Sequence, residues 1–165
     1  MLPDELRGFP VASSVDNWDP SVIVGGRFDR GELTLWVAPH KIVELCRFLK
    51  DQERFTRLSG VTAVDWFPAD PRFEVVYHLH SLEANRRLRL KCRLGADPAE
   101  IDSVSGVWRS ANWYEREVFD LFGVVFRGHP NLRRILLPDN WEGHPLRKDY
   151  PVHGYKYSYQ DSGGG

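Results

Sequence analysis

The stretch FEVVYHLHSLEANRRLRLKCRL, residues 73–94, contains two alternating runs joined by a short loop. Apolar side chains recur at every second position of each run, which is typical of a β-strand with one buried face. The loop Ser81–Arg86 is short enough to make the two strands antiparallel neighbours. One face of the pair is therefore predicted to line a core, and the other carries a basic row, Arg87, Arg89, Lys91 and Arg93.

Three more strands and a helix are predicted on the amino-terminal side of this pair. The runs Ser21–Phe28 and Glu32–Val37 flank DRG, in which Gly31 is free to take the positive φ of a hairpin turn. Val61–Phe67 gives the third strand, and a helix opens at Pro39. Residues 1–95 are thus predicted to form a two-layer α+β sheet domain. The helix buries an apolar stripe with i, i+3, i+4, i+7 spacing, namely Ile42, Leu45, Cys46 and Leu49.

Residues 96–127 are predicted to form a signature-helix region packed on the sheet domain. Pro98–Val104 favours one or two helical turns. Asn112 is predicted to cap the main helix, with Glu115 three residues later completing a capping box. Gly123 suits the carboxyl end of this helix.

Residues 128–165 show neither period and are predicted to form an extended arm with a flexible tail at Ser158–Gly165. The arm carries Trp141, Leu136 and Leu146 but no apolar face of its own. Ordering it costs roughly 1–2 kcal/mol per residue. We therefore expect the arm to become ordered against another chain.

Composition bounds the class of protein. The 165 residues are 42% hydrophobic with a net charge of −1, which indicates a globular chain without an overall field toward nucleic acid or an anionic membrane. No apolar run approaches the roughly 20 residues of a membrane-spanning helix, so the chain itself is predicted to be soluble. Cys46 and Cys92 are predicted to be reduced, partly buried thiols, and two are too few for an iron–sulfur cluster.

The stretch WYEREVFDLFG, residues 113–123, leaves two functions open. Glu117 or Asp120 would suit the acid or base of a free-standing enzyme if a cleft and a charged partner shifted their pKa values. The alternative is a charged helix that packs or docks. The lack of an upstream nucleophile or second carboxylate pair favours this second interpretation, a helix that packs or docks.

Other candidate sites are weaker. His78 and His80 lie two residues apart on a strand, but no third ligand stands at metal-binding spacing, which favours a solvated or hydrogen-bonded pair. Gly25 and Gly26 indicate a strand bulge and not a phosphate-binding loop. The basic row suggests a nucleic-acid-binding module, although Glu74 is predicted beside it and no aromatic platform shares that face.

Three runs between Trp113 and Pro151 resemble one known family. They are, in order, EREVFDLFG, FRGHPNLRRIL and WEGHPLRKDYP. The family is the 30 kDa-type subunit, designated C, of the proton-pumping NADH–quinone oxidoreductase, respiratory complex I. The resemblance extends from Leu2 to Val152 and implies a two-layer fold on a five-stranded mixed sheet.

The resemblance implies a non-catalytic subunit of the peripheral arm of the complex, on the cytoplasmic side of the cell membrane. The hydrogenase-like subunit, designated D, is the implied main partner, with iron–sulfur subunits beside it. FMN, iron–sulfur clusters and quinone are implied in those partners and no cofactor in this chain. Related subunits serve ferredoxin–plastoquinone enzymes, membrane-bound hydrogenases and coenzyme-F420 dehydrogenases, so the electron donor stays open.

We therefore predict that no residue of this chain is catalytic and that it binds neither a metal nor nucleic acid. The signature helix and the arm are predicted to carry the partner interface. Its candidate residues are Trp113, Glu115, Arg116, Glu117, Asp120, Phe122, His129, Arg133, Arg134, Trp141, Arg147, Lys148 and Asp149.

Overall fold

The computed structural model describes residues 2–152, and the predicted tail at Ser158–Gly165 lies outside that range. The helices are α1 (Pro10–Trp18), α2 (Ile42–Asp51) and α3 (Ala111–Phe122), with 3-10 turns at Asp4–Leu6 and Pro39–Lys41. The strands are β1 (Ile23–Asp29), β2 (Glu32–Val37), β3 (Arg57–Asp65), β4 (Phe73–Ser81), β5 (Arg86–Leu94), β6 (Glu100–Asp102) and β7 (Val125–Arg127).

Strands β1 to β5 form one sheet in the order β1-β2-β5-β4-β3. The β2–β5 pair is parallel and the other neighbours are antiparallel, so the sheet is mixed. This arrangement confirms the predicted α+β class and five-stranded mixed sheet. The β1–β2 hairpin turns through Arg30 and Gly31, whose φ values are +50° and +78°. The β1 register shifts between Ile23 and Gly25, next to the predicted bulge.

The core lies between the sheet and the helices. The predicted stripe of α2 is fully buried, and it belongs to the same apolar cluster as the inward residues of β4 and β5. Burying each large apolar side chain of this kind stabilises the fold by about 1.5–3 kcal/mol. Cys46 and Cys92 are free thiols inside the cluster, and burial raises the pKa of both, which keeps them protonated.

Helix α1 is a feature that sequence reasoning missed. It begins with Pro10 at its first position and buries Val11, Ala12 and Val15 against the core. Proline at the first helical position and apolar residues four apart were both visible in the sequence. The signal was present, although it spans only two turns.

The prediction of helical turns at Pro98–Val104 is wrong. The segment contains β6, which pairs in parallel with β7. Ile101 is buried while its two neighbours in β6 are half-exposed, and Arg127 forms ion pairs with Glu100 at 3.3 Å and Asp102 at 2.9 Å. A strand of three residues is too short to show an alternating pattern. Its partner β7 follows α3 in the sequence, so no local signal links the two strands.

Candidate partner interface

Helix α3 ends at a glycine that makes room for the arm. Gly123 has a φ of +76° and donates its N–H to Phe119 O at 2.9 Å. A Cβ at this position would lie 2.5 Å from the His144 ring and 2.6 Å from the Arg147 guanidinium. The glycine therefore both ends the helix and lets the arm approach its backbone closely.

The arm binds the carbonyl groups in the last turn of α3. The carbonyl oxygens of residues 120, 121 and 122 contact His144 Nδ1 at 2.9 Å, the Leu146 N–H at 3.0 Å and Arg147 Nε at 2.6 Å. These oxygens have no hydrogen-bond partner within the helix. The positive charge of Arg147 also suits the negative end of the helix dipole. Burial lowers the pKa of His144, so the ring is neutral at pH 7 and can donate through Nδ1.

Asp120 joins the helix to the arm through both carboxylate oxygens. The residue is 0% exposed, and Oδ1 pairs with Arg134 Nη1 at 2.8 Å. Oδ2 accepts the consecutive N–H groups of residues 135, 136 and 137 at 3.0, 2.7 and 3.0 Å. Burial alone would raise the pKa of this carboxyl. The Arg134 hydrogen bond and the three N–H donors hold the pKa below its ordinary value, so Asp120 stays ionised.

Arg134 connects the end of α3 to two positions on the arm. Besides the Asp120 carboxylate, its guanidinium donates to the Asp120 carbonyl at 3.0 Å. It also donates to Trp141 O at 3.1 Å and to Gly143 O at 2.8 Å. Arginine suits this position because its planar donors reach several acceptors in fixed directions. Lysine would lose most of these contacts.

The contact between the arm and α3 continues toward the start of the helix. Arg116 donates to the carbonyl oxygens of Arg133 at 3.1 Å and Arg134 at 3.3 Å. Further back, His129 Nε2 lies 3.0 Å from Asn112 O, while its Nδ1 accepts the Asn131 N–H at 3.0 Å. The arm is thus attached to α3 by side chains that bind backbone, on both sides of the contact.

A second buried carboxylate fixes the far end of the arm. Asp65, at the end of β3, forms two hydrogen bonds of 2.8 Å with Arg72 and accepts the Lys148 N–H at 2.8 Å. Arg72 also pairs with Asp149 at 2.7 Å. Burial would raise the pKa of Asp65, but the Arg72 and backbone hydrogen bonds lower it to about 2.

The capping box predicted at the start of α3 is wrong. Neither Asn112 nor the capping residue Ser110 makes a side-chain cap bond, and Glu115 turns inward. Its carboxylate accepts Ser103 Oγ–H at 2.6 Å and the Val104 N–H at 2.7 Å, and the residue is 0% exposed. Burial raises its pKa to about 7 in spite of these two hydrogen bonds.

The structure divides the predicted interface residues into two groups. Glu115 and Asp120 cannot contact a partner because neither is accessible, which corrects their assignment to a partner surface. Their oxygens are used within the chain. The side chains of Arg116, Phe122, His129, Arg134, Trp141 and Arg147 are half-buried and lie against the arm, α3 or the sheet edge, or bind within the chain. Asp149 is exposed but pairs with Arg72.

A smaller set remains exposed at this surface. Trp113 is 53% exposed, and its Nε1–H donates to Glu117 at 3.1 Å. Leu136 and Leu146 are 57% and 51% exposed. Arg133 is exposed and pairs loosely with Asp139 at 3.6 Å, and Lys148 is exposed as well. Contrary to the expectation that only another chain would order the arm, its backbone is bound by its own domain.

Sequence reasoning overlooked Asp65, Arg72 and His144 as interface-forming residues. Asp65 and Arg72 flank a loop and meet Lys148 and Asp149 only in three dimensions, so no spacing rule reveals them. His144 lies within the run WEGHPLRKDYP, so the sequence could have suggested it as a contact residue.

Within residues 2–152, no three His, Cys, Asp or Glu side chains lie together as a metal-binding group would require. In the sheet register, His78 lies opposite Arg89 and His80 lies opposite Arg87. No Asp or Glu lies directly opposite either histidine on the neighbouring strands. Asp120 is ionised and fully engaged, so it has no free oxygen with which to accept a proton from a substrate.

The fold and these contacts define a two-layer α+β protein in which an arm binds the end of a signature helix. The family model for the respiratory-chain NADH dehydrogenase 30 kDa subunit matches residues 35–156. The chain belongs to this family, and so it is a subunit of a multisubunit respiratory enzyme.

Individual relatives agree with that family. The chain is 52% identical over 125 residues to the NADH-quinone oxidoreductase subunit designated C of Geotalea uraniireducens, covering 76% of each chain. It is 55% identical over 126 residues to the corresponding subunit of Geobacter sulfurreducens, covering 76% of this chain and 78% of that one. Among solved structures, a chain of an archaeal respiratory membrane complex, the membrane-bound sulfane sulfur reductase, matches with a TM-score of 0.77 and 29% identity, covering 96% of both chains.

Proposed function

We propose that this chain is a non-catalytic subunit of the peripheral arm of an NADH–quinone oxidoreductase and that it braces the hydrogenase-like subunit. Neighbouring iron–sulfur subunits are the further partners. The observation that carries the proposal is the use of the charged signature residues to hold the arm on α3, which leaves apolar side chains on its outer surface. Such a surface supports assembly and not turnover.

The exposed apolar side chains support a docking role. Trp113, Leu136 and Leu146 each remain at least half exposed although they belong to one ordered segment. Removing apolar surface from water is worth about 25 cal/mol per Å². Large side chains of this kind are typical anchors at the centre of a protein interface, surrounded by polar groups such as Arg133 and Lys148.

A preformed arm also lowers the cost of association. Ordering a free segment costs roughly 1–2 kcal/mol per residue, which a partner would have to supply on binding. Asp65 and Asp120 already fix the backbone of this arm in the chain itself. The partner therefore meets a surface of defined shape.

The redox chemistry is proposed to reside in the partners, which would hold FMN, the iron–sulfur clusters and the quinone. In residues 2–152, no helix has both the length and the apolar character needed to cross a membrane. We propose that the chain lies at the cytoplasmic side of the cell membrane, attached only through the complex.

Co-purification tests this function directly. Tagged full-length chain, expressed in cells that make the complex, is expected to bring down a subunit of the hydrogenase-like fold together with iron–sulfur subunits. Leu136→Ala and Leu146→Ala should each reduce this recovery. Val24→Ala is the matched control, because Val24 is 66% exposed on β1, at the opposite edge of the sheet from β3. Recovery of the chain alone, or equal loss with the control, would contradict the proposal.

A second candidate function is the equivalent subunit of a related respiratory membrane complex. It is favoured by the structural match to the sulfane sulfur reductase chain, which covers 96% of both chains. Ferredoxin–plastoquinone enzymes, membrane-bound hydrogenases and coenzyme-F420 dehydrogenases fall in the same group. The recovered complex decides between them, because only an NADH-dependent enzyme would contain an FMN-binding subunit and reduce a quinone with NADH.

A further inference from the structure

The outer face of the sheet, opposite the buried face, carries a groove of about 430 Å³ at one end of strands β2 to β5. We refer to it as the outer groove. Its charged and polar lining comes from four neighbouring strands and includes Glu32, Arg57, His78, His80, Arg87 and Arg89.

The basic row on β5 is balanced at one end only. Glu74, on the neighbouring strand, lies 3.5 Å from Lys91 Nζ and 3.7 Å from the Arg93 guanidinium. Glu74 also accepts the Trp36 Nε1–H at 3.2 Å and is almost fully buried. The charges of Lys91 and Arg93 are therefore offset within the sheet by Glu74.

The half of the row inside the outer groove is not balanced in this way. Arg89 pairs with Glu32 at 2.5 Å. Within residues 2–152, neither Arg57 nor Arg87 forms an ion pair or a hydrogen bond through its side chain. Two guanidinium groups that line the outer groove thus have no partner among the described residues.

The strand register brings these cations together. Arg57 of β3 and Arg87 of β5 both lie directly opposite His80 of β4, so the three form one row across the sheet. The two guanidinium groups therefore repel each other across His80, and both attract an anion placed on this row. The buried Nε2 of His80 also lacks a hydrogen-bond partner in the described part of the chain. A bound segment that supplies carboxylate acceptors would relieve the repulsion between the two arginines.

The chemistry of the groove selects carboxylates. Arginine pairs with a carboxylate through two parallel hydrogen bonds, and two arginines in one row can bind two acidic side chains. Nucleic acid is disfavoured because no Phe, Tyr or Trp is among the described residues that line the groove and the whole chain has a net charge of −1.

We infer that the outer groove docks an acidic polypeptide segment of another subunit of the complex, with Arg57 and Arg87 binding its Asp or Glu side chains. The inference rests on the proposed assembly function and adds a contact separate from the arm. This second surface would allow the chain to hold two neighbours at once, one at α3 and one on the sheet.

A charge reversal tests the groove. The double variant Arg57→Glu/Arg87→Glu, in full-length chain, is expected to bind the rest of the complex about tenfold more weakly and with less dependence on salt than wild type. Its melting temperature should change little, because neither arginine forms an ion pair or a side-chain hydrogen bond within residues 2–152 that the reversal would break. Arg47→Glu is the matched control, since Arg47 is exposed on α2 on the other side of the sheet. Equal binding by wild type and the double variant would overturn the inference.

Crosslinking identifies the occupant. A photo-crosslinking residue at Ser59, which lines the groove, should label an Asp- or Glu-rich peptide of another subunit in the assembled complex. Replacing the labelled acid by lysine should restore binding of the double variant. Labelling of RNA, lipid or a second copy of this chain, or no label in an intact complex, would overturn the groove but leave the assembly function standing. Absence of the chain from any complex would contradict both.

Discussion

The sheet domain and the arm achieve defined structure by opposite means. In the sheet domain, α2 and the inner faces of β4 and β5 bury apolar side chains in one cluster. The described part of the arm, residues 128–152, buries little of its own, and Leu136 and Leu146 remain exposed. Its backbone is held by two buried carboxylates, Asp65 and Asp120, and by arginines that bind carbonyl oxygens. A segment without a core can thus keep a fixed shape when charged groups bind its backbone.

The largest expected effect lies in the apolar half of this comparison. Leu45→Ala removes a fully buried side chain of α2, which should lower the free energy of unfolding by roughly 2–5 kcal/mol through lost burial and the cavity left behind. Urea unfolding of the full-length chain measures this change. Leu82→Ala, on an exposed loop, should change it by less than about 0.5 kcal/mol.

Asp120→Asn tests the polar half. An amide cannot replace the carboxylate toward both Arg134 and the three N–H groups, so the arm should open about 3 kcal/mol more easily. Trypsin cleavage after Arg133 and Arg134 should then be about a hundredfold faster. The matched control is Asp139→Asn, which removes an exposed carboxylate of the arm itself.

If the Asp120 and Asp139 variants were cleaved equally fast, the arm would not depend on the buried carboxylate. Urea unfolding of the sheet domain should differ little between them, because the apolar cluster is untouched.

Glu115 is expected to make the free energy of unfolding depend on pH. Its pKa is raised from 4.5 to about 7, so the folded chain binds a proton more tightly than the unfolded chain. As the pH rises from about 4.5 to about 7, the free energy of unfolding should therefore fall by roughly 2–3 kcal/mol. Glu115→Gln keeps the shape without the charge and should abolish this fall. Urea unfolding across that pH range measures it, with Glu117→Gln as the control, and an unchanged pH profile in Glu115→Gln would refute the assignment.

The smallest effect on stability is expected at the exposed surface. Trp113→Ala removes a ring that is 53% exposed and one hydrogen bond to Glu117, so the free energy of unfolding should change by no more than about 0.5 kcal/mol. Recovery of partner subunits should nevertheless fall. A large loss of stability in the free chain would show that Trp113 serves the fold and not a partner.

The apolar half of the molecule could be predicted from the sequence because its signals are local. The stripe of α2 and the alternation in β4 and β5 repeat at short, regular intervals, and the structure confirms them. The parallel pairing of β6 with β7 could not be predicted, because the two strands have three residues each and are separated by α3.

The polar half was located but not explained by the sequence. The runs from Trp113 to Pro151 identified the segment and the family. They did not show which charges face inward, because Asp120 and Glu115 acquire their roles from residues in other elements. A charge on an amphipathic helix has the same appearance in the sequence whether it contacts solvent, a partner or its own chain.

Hydrogen exchange of the free full-length chain tests the central claim most directly. The amide protons of residues 135–137 donate to Asp120, so they should be strongly protected without any partner present. The same amides should lose protection in Asp120→Asn while those of β4 and β5 keep it. Rapid exchange of residues 135–137 in the wild-type chain, with protection gained only in the assembled complex, would contradict the account.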